Sequence, residues 1–193
     1  MPARAPAAGP PTPCHAPLVH RNVVAVIAAG RELGLDLQIR SFPEGTRTAA
    51  DAAAAIGVEL GQIVKSLAFR VDGTITMALM SGSNRLDEAA LASAAGGVRC
   101  ERADAAAVRA ATGFPIGGVP PFGHITNLPV YLDRDLLSHH EVWAAAGTPN
   151  DNFAIAPDEL VRATGGTVAD LAARAGPAPS VGRHDDDARG LSG

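Results

Sequence analysis

Of the sixteen basic residues in this 193-residue chain, fifteen are Arg and one, Lys65, is Lys. Lys is among the commonest residues of soluble proteins, and on the order of ten would be usual. The abundance of Ala points to a GC-rich coding bias that turns Lys into Arg wherever either serves. Lys65 then marks a place where Arg does not serve. It lies in Ile63-Val64-Lys65-Ser66-Leu67-Ala68-Phe69, a charge set among apolar residues of strand character; alternation alone would equally put it on a solvent face. The second feature is Thr112-Gly113-Phe114-Pro115-Ile116-Gly117-Gly118-Val119-Pro120-Pro121-Phe122-Gly123-His124. Its glycines let backbone approach a ligand closely, and its prolines fix the loop's shape. Such a loop suits an anion or a developing oxyanion, and equally a plain connection between two strands.

Other chemistry finds little support. His139-His140-Glu141 has adjacent side chains that diverge, with no third ligand at a useful spacing, so no metal or cofactor is expected. His184-Asp185-Asp186-Asp187 reads as a solvated charge run. Cys14 and Cys100 form neither a metal spacing nor a disulfide framework, and Cys100 reads as a small core residue. The sequence has no Gly-x-Ser-x-Gly elbow, no loop ending in Gly-Lys-Ser/Thr and no dinucleotide fingerprint.

Hydrophobic residues make up 47% and charged residues 19% of the chain, an ordinary globular composition with room for one core. No apolar run approaches the roughly 18 residues of a membrane span, and no secretion signal opens the chain, so a reducing cytoplasm is expected. A net charge of −4 disfavours broad nucleic-acid binding, which phosphate neutralisation dominates; a small site for a nucleic-acid end stays open.

The elements that must hold these residues can be outlined. Pro/Ala-rich residues 1–17 and the Gly, Pro, Asp and Arg mixture of 176–193 read as disordered tails around one domain, 18–175. Helical spacing begins at Leu18 and stops at Gly34, and a short strand spans Leu37–Phe42, followed by a turn at Pro43-Glu44-Gly45. Thr48 and Asp51 form a capping box for a helix ending near Gly57. Strands at Ile63–Val71 and Thr74–Leu79 flank the hairpin turn Asp72-Gly73. Helices are expected over Asp87–Ala95 and Asp104–Thr112, from Pro157 and from Thr167. Short strands are expected at Val98–Glu101, Val130–Leu132, Val142–Ala145 and Phe153–Ile155. This order predicts an α+β fold, with a mixed, largely antiparallel sheet surrounded by helices rather than a doubly wound one.

The run Thr48-Ala49-Ala50-Asp51, Gln62-Ile63-Val64-Lys65-Ser66-Leu67, Ser81-Gly82-Ser83-Asn84-Arg85, Gly117 through His124 and Ala146-Gly147 resembles the YbaK / prolyl-tRNA synthetase editing-domain family. The resemblance spans roughly Leu18 to Ala172. It implies that family's partly barrel-like sheet and its activity, hydrolysis of the ester that joins a wrong, small amino acid to the 3′ end of tRNA. A synthetase partner would be compatible, and neither membrane nor DNA is implied. A non-catalytic module of the same fold is the alternative. The family's essential lysine corresponds to Lys65, which would anchor the terminal phosphate or ribose. Its Gly-x-x-x-Pro loop corresponds to Gly117, Gly118, Val119, Pro120 and Pro121, with oxyanion donors at Gly117 or Gly118. In the cysteine-removing branch the loop ends in Gln with basic residues after it. Here His124 and Ile125-Thr126-Asn127 stand there, which puts cysteinyl specificity in doubt. His124, Asn127 and Gly147 remain candidates for the amino-acid pocket, with a purely structural His124 as the competing reading.

Overall fold

The computed structural model describes residues 20–42, 46 and 48–173. The two predicted tails, the start of the first helix at Leu18 and the turn Pro43-Glu44-Gly45 lie outside the described residues.

Local sequence explains most helix ends. Helix α1 (Arg21–Glu32) starts under His20, whose ring nitrogen accepts from the Asn22 N–H. Helix α2 (Ala49–Ile56) has the predicted capping box, with Thr48 and Asp51 exchanging two 3.1 Å hydrogen bonds. Asp87 and Asp104 cap α3 (Glu88–Ala94) and α4 (Ala105–Thr112), and Pro157 opens α5 (Pro157–Thr164).

The strands are β1 (Ile39–Ser41), β2 (Val64–Val71), β3 (Thr74–Ser81), β4 (Cys100–Arg102), β5 (Val130–Asp133), β6 (Val142–Ala145), β7 (Asp151–Ile155) and β8 (Thr167–Ala169). They build a three-stranded antiparallel sheet, β1-β7-β6, and a five-stranded sheet, β4-β2-β3-β5-β8. β2 runs antiparallel to β3 and β4, while β5 joins β3 and β8 in parallel. An isolated bridge from Ile63 to Trp143 ties β2 to β6, so the two sheets wrap towards each other at this point. Asp72 and Gly73 both take positive φ, 44° and 91°, as a tight two-residue hairpin requires.

The helix expected from Thr167 is corrected to strand β8. α5 ends at Gly165, and Gly166 then brings the chain so close to β5 that a Cβ would stand 2.4 Å from Leu132 Cδ1. Pairing of Tyr131 with Thr167 follows; three residues seen alone carry no sign of that partner.

Alternation in β2 divides the core. Val64 and Ala68 face the main cluster with Met77, Leu79, Val119, Phe122 and Phe153. Phe69 and Val71 face a second cluster with Met80 and Leu91. Cys100, read as a core residue, is half-buried at the edge of that second cluster.

Candidate active site

Lys65 stands on β2 opposite Met80. Its side chain crosses to the loop after β3, where Nζ donates to the Gly82 carbonyl at 3.2 Å and to the Asn84 carbonyl. A third ammonium proton is left over. The loop is held in turn by Asp133, 1% exposed, which accepts from Ser81 N at 3.2 Å and Asn84 Nδ2 at 2.8 Å. Burial pulls the Lys65 ammonium below the ordinary lysine value, and the Asp133 carboxylate partly restores it. Gly82 has no room for a side chain: a Cβ would sit 2.2 Å from the Leu60 carbonyl oxygen.

The Gly/Pro loop packs on the other face of β2, that of Val64 and Ala68, and its turn reaches the cleft that Lys65 also lines. Phe114, Val119 and Phe122 anchor it in the core, and Phe122 meets Phe153 with ring centroids 5.7 Å apart. Between anchors, Gly118 N–H donates to the Pro115 carbonyl at 3.0 Å, closing a turn whose third residue, Gly117, has φ 85°. The tip of that turn is open, with Ile116 60% exposed. Gly118 is forced by packing, since a Cβ would fall 2.7 Å from Thr148 Cα.

Between the two lies a cleft of about 300 Å³ lined by Lys65, Ser66, Gly117 and Val119, with Thr46, Thr48, Ala49, Ala52 and Ala145 around them. This volume is at the small end for ligand sites. Lys65 is its one ionisable side chain among the described residues. On its polar side Thr46 donates to the Pro149 carbonyl and accepts from Asn152 Nδ2 at 3.0 Å. A wider hollow of about 600 Å³ lies at the other end of β2, among Arg70, Asp72, Glu88, Arg99 and Glu101. Its mixed, exposed charges make it a poor substrate site despite the greater volume.

The structure therefore brings Lys65, Gly117 and Val119 together. Gly118 sits behind them with its N–H already donated, so it is a packing residue rather than a free oxyanion donor. Pro120 and Pro121 are buried and turn the chain away. His124 and Asn127 line a separate depression with Leu33, Ala163 and Thr164. There His124 Nε2 lies 2.8 Å from the Pro120 carbonyl oxygen, and burial holds the imidazole below its ordinary value. Gly147 packs on α1, accepting from Asn22 Nδ2 at 2.9 Å; a Cβ there would meet Asn22 Cβ at 2.8 Å. Sequence reasoning missed Thr46, Ser66 and Asn152. A buried Asn beside Phe153 in a short strand was the available signal for Asn152; Thr46 carried none, because its partners lie 103 and 106 residues away.

Residues 43–163 match the family model described as "Aminoacyl-tRNA editing domain". A solved structure described as a candidate trans-editing enzyme for prolyl tRNA synthetase superposes with a TM-score of 0.77 at 46% identity, covering 81% of this chain and 100% of that one. A candidate Cys-tRNA(Pro)/Cys-tRNA(Cys) deacylase, EbsC of Enterococcus faecalis, is 27% identical over 68% of this chain and 80% of its own. The proline–tRNA ligase of Desulforamulus reducens is 32% identical over 54% of this chain, which spans only 18% of the ligase. The family match covers well over half of the sequence, the fold agrees with it, and the two motifs that suggested it line one cleft: the chain belongs to the aminoacyl-tRNA editing domain family.

Proposed function

We propose that the protein is a trans-editing aminoacyl-tRNA deacylase that removes a small amino acid from the 3′ end of mischarged tRNA. The observation that carries this reading is Lys65, an ammonium fixed by two carbonyls at a small cleft that the turn at Gly117 also lines. In this reading its remaining proton bonds the terminal phosphate or ribose of the acceptor end. Gly117 and Val119, whose N–H groups have no backbone acceptor among the described residues, bond the ester carbonyl as it becomes an oxyanion. Water attacks that carbon, the bond to the ribose oxygen breaks, and that oxygen leaves with a proton as the 3′-terminal hydroxyl. An aminoacyl ester is already activated, so positioning and oxyanion stabilisation suffice without a covalent nucleophile.

Small amino acids are the substrates in this reading because Ala49, Ala52, Ala145 and Val119 wall a cleft of limited volume. A synthetase gains only roughly 1–3 kcal/mol from one methylene, which is why a second sieve is needed. Prolyl-tRNA synthetase is the natural source of the error, given the relatives that carry this domain within it. Net charge of −4 implies weak contact with the tRNA body, confined to the acceptor end. A place in the cytoplasm follows from that substrate; among the described residues no helix is long and apolar enough to cross a membrane.

Hydrolysis of a panel of mischarged tRNAs by wild type and Lys65→Ala tests the reading. Loss of one charge-assisted bond should lower kcat/KM by roughly ten- to a hundredfold. A wild type that binds the panel without turnover would sink the enzyme and leave a binding module. A fully active Lys65→Ala would remove only the role given to Lys65.

A further inference from the structure

The edge of β2 inside the cleft has unspent hydrogen-bonding capacity, and it centres on Ser66. At one end of the strand Ala103 N–H donates to the Ala68 carbonyl at 3.1 Å. The Ala68 amide groups therefore face β4, away from β3. On the other side of the pair, Met77 N–H donates away from β2, to Pro129. Since backbone direction alternates along a strand, the Ser66 N–H and C=O face the same way as those of Ala68. β4 pairs only from Phe69 onward, and the one backbone bridge to β6 among the described residues is at Ile63, just before β2 begins. Ser66 thus falls between these two pairings, on the cleft it lines.

The side chain is equally unspent. Ser66 Oγ is buried and is the one buried side-chain polar atom without a hydrogen-bond partner among the described residues. It shares the strand face of Val64 and Ala68, the face on which Val119 packs. The other hydroxyl among the cleft's buried groups, that of Thr46, both donates and accepts within the protein. Leaving a buried hydroxyl unpaired is costly, and native structures seldom do so without a reason. A serine has three staggered rotamers, so a turn about χ1 redirects the oxygen from the core to the cleft it lines.

We infer that Ser66 is the residue through which the cleft reads the side chain of the amino acid, and that the preferred substrate is a small amino acid bearing a hydroxyl, serine before threonine. This rests on the deacylase reading above and sharpens it. The remaining walls near Ser66, Ala49, Ala52, Leu67, Val119 and Ala145, are aliphatic and hold a methylene and a methyl about equally well. A substrate hydroxyl in the closed cleft pairs with the Ser66 oxygen, and a methyl does not. An isostere with a methyl in its place leaves that oxygen buried and unpaired, which is the situation in which protein sites discriminate most strongly.

The experiment is single-turnover deacylation of tRNA charged with serine, threonine, alanine or α-aminobutyrate, by wild type and Ser66→Ala. α-Aminobutyrate is the methyl isostere of serine. Wild type should hydrolyse the seryl ester at least about tenfold faster than the aminobutyryl ester. Ser66→Ala should lose about tenfold or more on the seryl ester and stay within about twofold on the aminobutyryl ester. Its thermal midpoint should not fall, because the hydroxyl it removes makes no bond in the free protein. Equal losses on both esters would mean that Ser66 serves a part common to all substrates, and would overturn the inference, as would no loss at all. A wild type that cleaves alanyl but not seryl tRNA would overturn it while sparing the deacylase. A wild type that cleaves none of the four would overturn both.

Discussion

Lys65 is held by two backbone carbonyls whose spacing suits a compact ammonium. A guanidinium spreads its donors over a flat fork and cannot enter the same cradle. Lys65→Arg should therefore weaken binding of uncharged tRNA roughly tenfold although the charge is kept, as a titration against wild type would show. The protonated form is the binding form, and burial sets its folded-state pKa below the ordinary 10.5. Affinity for uncharged tRNA should be full below that folded value and be lost as pH rises through it, at a midpoint below 10.5. At this scale the sequence was informative only in part. The rarity of Lys singled out Lys65, but its neighbour Ser66 points to the opposite strand face, and nothing in the sequence says that this face is a cleft. His124 and Asn127 were drawn in by nearness along the chain. Pro120 and Pro121 turn the backbone inward and Gly123, with φ 76°, turns it again, so these two residues emerge elsewhere.

Among the elements, the Gly/Pro loop depends on one close backbone approach. Gly118 lies against Thr148, with 2.7, 2.8 and 2.9 Å from an ideal Cβ to its backbone atoms. Backbone cannot step aside as a flexible side chain would. Gly118→Ala should cost about 1–3 kcal/mol of stability, measured by chemical denaturation, and should displace the turn that presents Gly117. The deacylation rate should fall more than Val119→Ala lowers it if the turn's position matters most. Elements fixed by local chemistry were the legible ones: the Thr48 capping box, the Asp72-Gly73 hairpin, the helices that begin at Asp87 and Asp104. β8 was not, because its identity comes from β5 and a glycine that admits it. The same applies to the cleft's polar side, where Thr46 and Asn152 meet from positions 106 residues apart.

For the molecule as a whole, α1, α5 and the end of the Gly/Pro loop close the side remote from the cleft, where His124 is half-buried among Leu33, Ala163 and Thr164. Burial keeps the folded-state imidazole below its ordinary 6.5, against a smaller opposing effect of the Pro120 carbonyl. The unfolded chain therefore takes up a proton that the folded protein resists. Stability is fully present above pH 6.5 and is lost as pH falls from there towards the folded value. His124→Gln should flatten this loss between neutral pH and about pH 5, read from denaturation midpoints, while deacylation at neutral pH is retained. The open edge of β2 has a last consequence for the protein's solubility. An exposed strand edge is a template on which other chains can add and polymerise. Here the bridge at Ile63 and the bond that the Ala68 carbonyl accepts from Ala103 leave a window of four residues, 64–67, roughly 13 Å at about 3.3 Å per residue. Six or seven residues are needed for a self-propagating β-stack, so the window can receive an aminoacyl group but is too short to seed a fibril.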